Sequence, residues 1–362
     1  METVKKIVVT GDILRINLNG GSSQDVNIRW LYHLIRPVLK MLSSFPVEPL
    51  YHTNSKGCLS AELYRINGQP VSFDGWVSMY DKQPTARDMA VIYDQFEESL
   101  VIAFELPEFM RKAFDQLMIP YVDFTIHPAR FLDDLLFGVR SNIRWLGEAL
   151  KPWVVCEEEI RLSAGLAMSM MARLPMLEQC AGARDVALFA GQTTDDKVLI
   201  RNGRMMQADD FMQAFADISA KHEKVLVKPH PYVKHNPVVT ALTRLFPNAI
   251  EVDANFYHLM AQDSISYVYS ITSSTSIEAA YFDKRGVHLA PYPYAFSDTS
   301  AIGGCFLQVG PEIYTPCFWQ TVLNIVGIET SSVPSISLRH ERNRMRRSLR
   351  NFWGANIFEF NG

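Results

Sequence analysis

No stretch of this sequence approaches the roughly 18 continuous apolar residues that a membrane-spanning helix needs. The opening Met-Glu-Thr-Val-Lys-Lys-Ile-Val-Val-Thr reads as a short strand and lacks the long apolar core of a secretory signal. The expected compartment is therefore the cytoplasm. Cysteine is sparse and odd in number. Cys58, Cys156, Cys180, Cys305 and Cys317 are scattered, no pair has metal-ligand spacing, and a disulfide framework is not expected. Neither sign of charge dominates: 35 Lys and Arg stand against 39 Asp and Glu, a net charge of -4. That leaves no overall basic footprint, so nucleic acid is not an expected partner. Gly-x-Gly-x-x-Gly, Walker and Gly-x-Ser-x-Gly motifs are absent, which argues against nicotinamide redox, ATPase and α/β-hydrolase chemistry. No Asp-x-Asp follows a strand in the way that holds a divalent metal on a diphosphate. His222, His230 and His235 are not spaced as zinc ligands.

What is present is enough chain for two cores. At 362 residues the length suggests two domains. Short apolar runs at 6–10, 100–104 and 121–126 read as strands, with helical patterns at 26–42 and 107–117. This alternation predicts βαβ units on a parallel sheet. Residues 47–80 read as short strands and loops, and 131–174 as mostly helix. After a connector at 175–184 a second βα series follows, with strands expected at 186–189, 197–201, 224–228, 250–252, 265–271 and 287–290. The expected fold class is α/β with two Rossmann-like domains facing a central cleft. Residues 1–180 form the first, 181–330 the second, and 331–362 a basic terminal helix packing back on the first.

Three motifs follow strand-like runs in the second half: Phe189-Ala-Gly-Gln-Thr-Thr-Asp-Asp196, Val227-Lys-Pro-His-Pro231 and Ser270-Ile-Thr-Ser-Ser-Thr-Ser-Ile-Glu278. Polar groups at strand ends, with hydroxyls opening a helix, describe a phosphate-ligand site on a parallel sheet. His230 stands between two prolines that stiffen its backbone, and Lys228 adds charge beside it. Ser273, Ser274, Thr275 and Ser276 are more hydroxyls than one helix cap needs. Glu278, one turn on, is placed to accept from ribose hydroxyls. Gln192 and the adjacent Asp195 and Asp196 belong at the domain interface. The two carboxylates diverge as neighbours, one toward the reacting carbon and one toward the turn. In the first half, Asp123, Thr125 and His127 share a strand face, so Asp123 and His127 are candidates to handle an acceptor proton.

The ordered set resembles the retaining β-Kdo transferases of capsule and O-antigen assembly. It is similar, more distantly, to bacterial sialyl- and polysialyltransferases with His-Pro and Ser-rich motifs. The resemblance covers about residues 186–294, and more weakly 121–134. It implies a GT-B fold and a CMP-activated acidic sugar as donor, with no cofactor and no required metal. It further implies CMP phosphate held by His230 and Ser273–Ser276, with Glu278 near the ribose. Asp196 would be the nucleophile, with Asp195 as the fallback. The sugar carboxylate would need a cation, Arg130 or Arg15. A glycan or lipid-linked glycan is the implied acceptor. An inverting transferase of sialic, legionaminic or pseudaminic acid, a hydrolysing sugar-nucleotide epimerase and a non-catalytic glycan-binding module are the rivals. The tail carries Arg339, Arg342, Arg344, Arg346, Arg347 and Arg350, then Phe352 and Trp353. It reads either as a solvated terminal helix or as a peripheral anchor for anionic lipid at the inner membrane.

Overall fold

A computed structural model describes residues 4–22, 24–52, 59–231, 233, 236–299, 304–332 and 344–349. Cys58, His235, Arg339, Arg342, Arg350, Phe352 and Trp353 fall outside them. In chain order the strands are β1 (Lys6–Gly11), β2 (Val47–Pro49), β3 (Ser99–Phe104), β4 (Tyr121–Ile126), β5 (Phe137–Ser141), β6 (Val186–Ala190), β7 (Ile200–Arg201), β8 (Arg204–Met205), β9 (Lys224–Lys228), β10 (Ala249–Glu251), β11 (Ile265–Ser270), β12 (Arg285–His288), β13 (Phe296–Ser297) and β14 (Phe306–Val309).

Two sheets result. The first runs β13-β14-β5-β4-β3-β1-β2 and the second β10-β9-β6-β11-β12, while β7 and β8 make a small hairpin. β3, β4 and β6 are buried along their whole length. Strands buried on both faces in this way belong to sheets covered by helices on both sides. The second sheet is parallel throughout. In the first, β5 runs antiparallel between β4 and β14. This is the GT-B-like arrangement of two Rossmann-like domains.

The winding reverses once in each sheet. β1 lies between β2 and β3, and β6 lies between β9 and β11. Outside the carboxyl ends of strands at such a reversal, doubly wound sheets bind their ligands.

Three local expectations are corrected. The helix read across 131–174 is broken up: β5 comes first, then short helical turns at Leu146–Ala149 and Lys151–Trp153, and the long helix is Glu157–Met171. Gly138 lets β5 lie against aromatic rings; a Cβ there would come within 2.6 Å of Phe296 and 2.8 Å of Phe306. Residues 47–80 hold β2 and two short helices, Leu59–Ile66 and Phe73–Met79, whose buried Leu59, Leu63 and Tyr64 repeat at helical spacing. The strand read at 197–201 is a tight helical turn, Lys197–Leu199, followed by β7.

The domain boundaries at 180 and 330 also move. Ile160, Ala164, Ala167 and Met171 of the 157–171 helix share a core with Val186, Leu188 and Val268 of the second sheet. In the other direction, Phe318, Trp319, Val322 and Leu323 of helix Pro316–Ile325 pack with Ile7, Leu31 and Phe124 of the first domain. The chain therefore crosses to the second domain near Val155 and returns near Ala295. Buried apolar stripes decide this, and a break in composition does not reveal it.

Candidate active site

The second sheet supplies one wall of the cleft. Gln192 staples the loop after β6 to the loop after β11. Its Oε1 accepts from Thr272 N at 2.9 Å and its Nε2 donates to Thr272 Oγ1 at 2.9 Å. Asn236 ties the same loop to the one after β9, donating from Nδ2 to Gln192 O at 2.5 Å. Its Oδ1 meanwhile caps helix Pro237–Leu245 by accepting from Val238 N at 2.9 Å. Gly191 passes so close to β9 that a Cβ would stand 3.1 Å from the Lys228 carbonyl. Both ends of the Gln192 side chain thus hold loops together.

Lys228 and His230 leave β9 at this junction. Burial lowers the Lys228 pKa, with Asp253 opposing it. Burial also lowers that of His230, helped by Lys228 and opposed by Asp195. His230 therefore feels both a cation and a carboxylate. The serine cluster divides. Ser276 is core, its Oγ 2.7 Å from Ser270 Oγ and 3.2 Å from the Val287 carbonyl that accepts from it. Ser273, Ser274 and Thr275 are half-buried, and Thr275 Oγ1 has no hydrogen-bond partner among the described residues.

The first sheet supplies the facing wall. After β1, buried Asp12 accepts from Trp76 Nε1 at 2.9 Å and Leu14 N at 3.1 Å, and burial pushes its pKa up to about 6. The Arg15 guanidinium lies 5.0 Å over the Trp76 ring and donates to the Asp195 carbonyl at 3.3 Å. After β3 comes Glu105, a non-glycine residue at φ 59°. Such left-handed backbone costs energy and clusters at functional sites. Glu105 Oε2 is 2.7 Å from Lys197 Nζ across the domain interface, and its Oε1 accepts from Thr125 Oγ1 at 3.2 Å. The two winding reversals thus face each other, joined by Arg15–Asp195 and Glu105–Lys197.

Asp195 and Asp196 diverge here. Asp195 interacts with His230. Asp196 Oδ1 accepts from Val198 N at 3.2 Å, capping the 197–199 turn. Burial raises its pKa; Val198 N, Lys197 and Arg15 oppose this, while Glu105 adds to it. Tyr292 and Tyr294 border the same space from the segment that leads into β13. Tyr292 stacks on His288 at 5.1 Å, and Lys197 Nζ lies 5.6 Å from the Tyr294 ring.

Two expected residues are drawn away from this cluster. Asp123 is fully buried, and both its oxygens are engaged. Oδ2 accepts from Arg140 Nε at 2.8 Å and Oδ1 from Leu106 N at 3.0 Å. His127 is also buried; its Nδ1 accepts from Ala129 N at 3.1 Å and its ring meets Phe296 edge-on at 4.7 Å. Burial pushes its pKa down to about 3, so it stays neutral. Arg130 is half-buried on the loop after β4. Burial lowers its pKa, opposed by Glu278, Tyr292, Tyr257 and Glu105. Glu278, expected at a ribose, is buried. Its Oε2 accepts from Tyr257 Oη at 2.6 Å and Arg130 N at 3.2 Å.

The cluster also includes residues outside the motifs, Glu105, Lys197, Asn236, Tyr292 and Tyr294, and Thr272, which lies within the third motif but was not singled out there. Asn236-Pro237 was the clearest available signal, as an N-cap followed by proline at the helix start. Among the described residues, no three His, Cys, Asp or Glu side chains converge as a metal-ligand set. No helix among them is long and apolar enough to cross a membrane.

Glu278 gives a pH prediction. Burial, only partly offset by Tyr257 and Arg130, pushes its pKa up to about 7 from 4.5. Between these values the folded chain holds a proton that the unfolded chain has released. Stability contributed by this group therefore falls as pH rises through that window. Glu278→Gln keeps an acceptor for Tyr257 and Arg130 without the charge. It should be more stable than the parent at pH 8 by about 2–3 kcal/mol, with the gap closing toward pH 5. The opposite contribution of neutral His127 is common to both proteins and cancels. Urea unfolding at the two pH values measures this; a pH-independent gap would reject the assignment.

No protein-family model and no curated protein matches this chain. Among solved structures, the Thermosulfurimonas dismutans KpsC β-Kdo 2,7 transferase is similar over 77% of this chain and 76% of that one, at 10% identity and a TM-score of 0.36. The KpsC β-Kdo 2,4 transferase of the same organism is similar over 61% of this chain and 79% of that one, at 16% identity and a TM-score of 0.35.

Proposed function

We propose that this chain is a glycosyltransferase. It moves a 2-keto-3-deoxy acidic sugar, Kdo in first place, from a CMP donor to a glycan acceptor of surface-polysaccharide synthesis, without a divalent metal. One observation supports the reading: the two sheet reversals, the places where doubly wound sheets bind ligands, face each other, and Glu105 from one reaches Lys197 Nζ at 2.7 Å beside Asp196 from the other. Double displacement with retention needs such a pair on two sides of the reacting carbon.

In this mechanism His230, Lys228 and the Ser273–Thr275 hydroxyls receive the CMP phosphate and offset the charge that develops on it. Asp196, oriented by Val198 N, attacks the anomeric carbon as CMP leaves. Glu105 takes the acceptor proton in the second step, a role for which Asp123 and His127 are too enclosed. Arg15 and Arg130 are the cations available to the sugar carboxylate.

Calorimetry of CMP against UDP, GDP and ADP, in EDTA, tests the donor class. CMP should bind selectively, and His230→Ala should weaken it roughly tenfold or more, the loss of one charge-assisted phosphate contact. Preference for a diphosphate nucleotide would overturn the reading.

A further inference from the structure

The arginine-rich tail takes no part in this chemistry, yet one of its members is sealed inside the fold. Helix Arg344–Ser348 places Met345 in the core of the first domain. Arg346 beside it is 1% exposed. Its guanidinium donates to three consecutive-loop carbonyls: Arg130 O at 3.0 Å, Leu132 O at 3.1 Å and Asp133 O at 3.3 Å. The grip is reciprocal. Asp134 Oδ2 accepts from Met345 N at 2.9 Å and Oδ1 from Arg346 N at 3.0 Å. A buried guanidinium is tolerable only where acceptors replace its water, and this loop supplies them. The same loop is held from the other side by the second domain, through Arg130 N and Glu278 Oε2. Between the two grips, Arg130 itself is half-buried, and Glu278, Tyr292, Tyr257 and Glu105 act electrostatically on its guanidinium.

We propose that Arg346 is a positioning residue: the C-terminal segment grips the 130–133 backbone and so sets the Arg130 guanidinium in the cleft. A lipid-headgroup role does not suit this arginine, since its charge is enclosed by the protein's own carbonyls. The kinetic half of the test rests on the transferase reading; the structural half does not.

The kinetic test is a double-mutant cycle on kcat/KM with Arg346→Met and Arg130→Met. Methionine keeps an unbranched stem and removes the donors. Arg346→Met should lower kcat/KM roughly 10- to 100-fold, the loss that follows from a misplaced binding group. In the Arg130→Met background it should lower it no further. Losses that multiply would overturn the proposal, because a purely structural arginine does not act through Arg130. If Arg346→Met does not fold, Arg346→Lys carries the same cycle. Amide hydrogen exchange needs no substrate. In the Arg346 variant, exchange should quicken at 130–135 and stay unchanged at 191–196; unchanged exchange at 130–135 would overturn the proposal. A parent protein inactive on every CMP-sugar would sink the transferase reading alone, and the exchange result would then decide whether Arg346 holds the 130–133 backbone.

Discussion

Asp196→Asn should abolish turnover while leaving the fold and CMP binding intact. Asparagine is the informative substitution because Asp196 has one job in the structure and another in the proposed mechanism. Its Oδ1 caps the 197–199 turn by accepting from Val198 N. Alanine would remove that cap as well and cost about 1 kcal/mol of local stability. Asparagine keeps an oxygen for Val198 N and loses only the nucleophile. The expected fall in kcat is roughly 10⁴-fold or more, as for other enzymes that lose a nucleophile. Incubation with donor alone should leave one sugar residue on the parent chain by intact mass, and none on Asp196→Asn. In Glu105→Gln the adduct should persist, because its breakdown needs the base. Burial raises the Asp196 pKa, so the acid limb of the parent's activity should lie above that of an ordinary aspartate. Lys197→Met removes a cation that opposes this rise, and should move the limb further toward neutral pH. Full turnover in Asp196→Asn would end the double-displacement mechanism.

The strands and strand-end motifs were legible because continuous apolar runs and polar loops are written locally. Their partners were not. Gln192 reads as a substrate ligand until Thr272, 80 residues away, is seen to engage both ends of its side chain. The four hydroxyls of 273–276 look equivalent in sequence, yet Ser276 faces inward, and Gly286 makes room for it; a Cβ there would stand 1.7 Å from the Ser276 carbonyl. Glu105 was hidden for a different reason. It precedes Leu106-Pro107, which announces the next helix, so its position at the end of β3 passes as a connector. Only the strand order shows that β1 and β3 flank a reversal, and that their loops meet the second domain. The return of residues 296–325 to the first domain has the same origin: pairing of β14 with β5 is a long-range fact.

β5 also decides what Asp123 does, and Asp123→Ala should mainly unfold the first domain rather than disarm the proposed reaction. Asp123 on β4 is the registered cross-strand partner of Arg140 on β5. Their side chains meet at 2.8 Å, at 0% and 8% exposure. Arg140 also reaches Glu108 at 2.9 Å and the Leu106 carbonyl at 3.3 Å, and lies 4.6 Å over the Phe306 ring. Removing Asp123 leaves this buried cation with one half-exposed carboxylate and strips Leu106 N of its acceptor. Breaking a buried pair from one side costs about 3–5 kcal/mol, far more than a surface ion pair contributes. Urea unfolding should show that loss. Asp123→Asn keeps an acceptor for Leu106 N and the shape of the site, and its folded fraction should retain kcat within a few-fold of the parent. A catalytic base behaves in the opposite way: asparagine would spare stability and lower kcat by roughly 10²–10⁴-fold. That second pattern would return Asp123 to the reaction and displace Glu105 from it. The first would leave Asp123 as the counter-ion that seats β5, and with it the loop that carries Arg130.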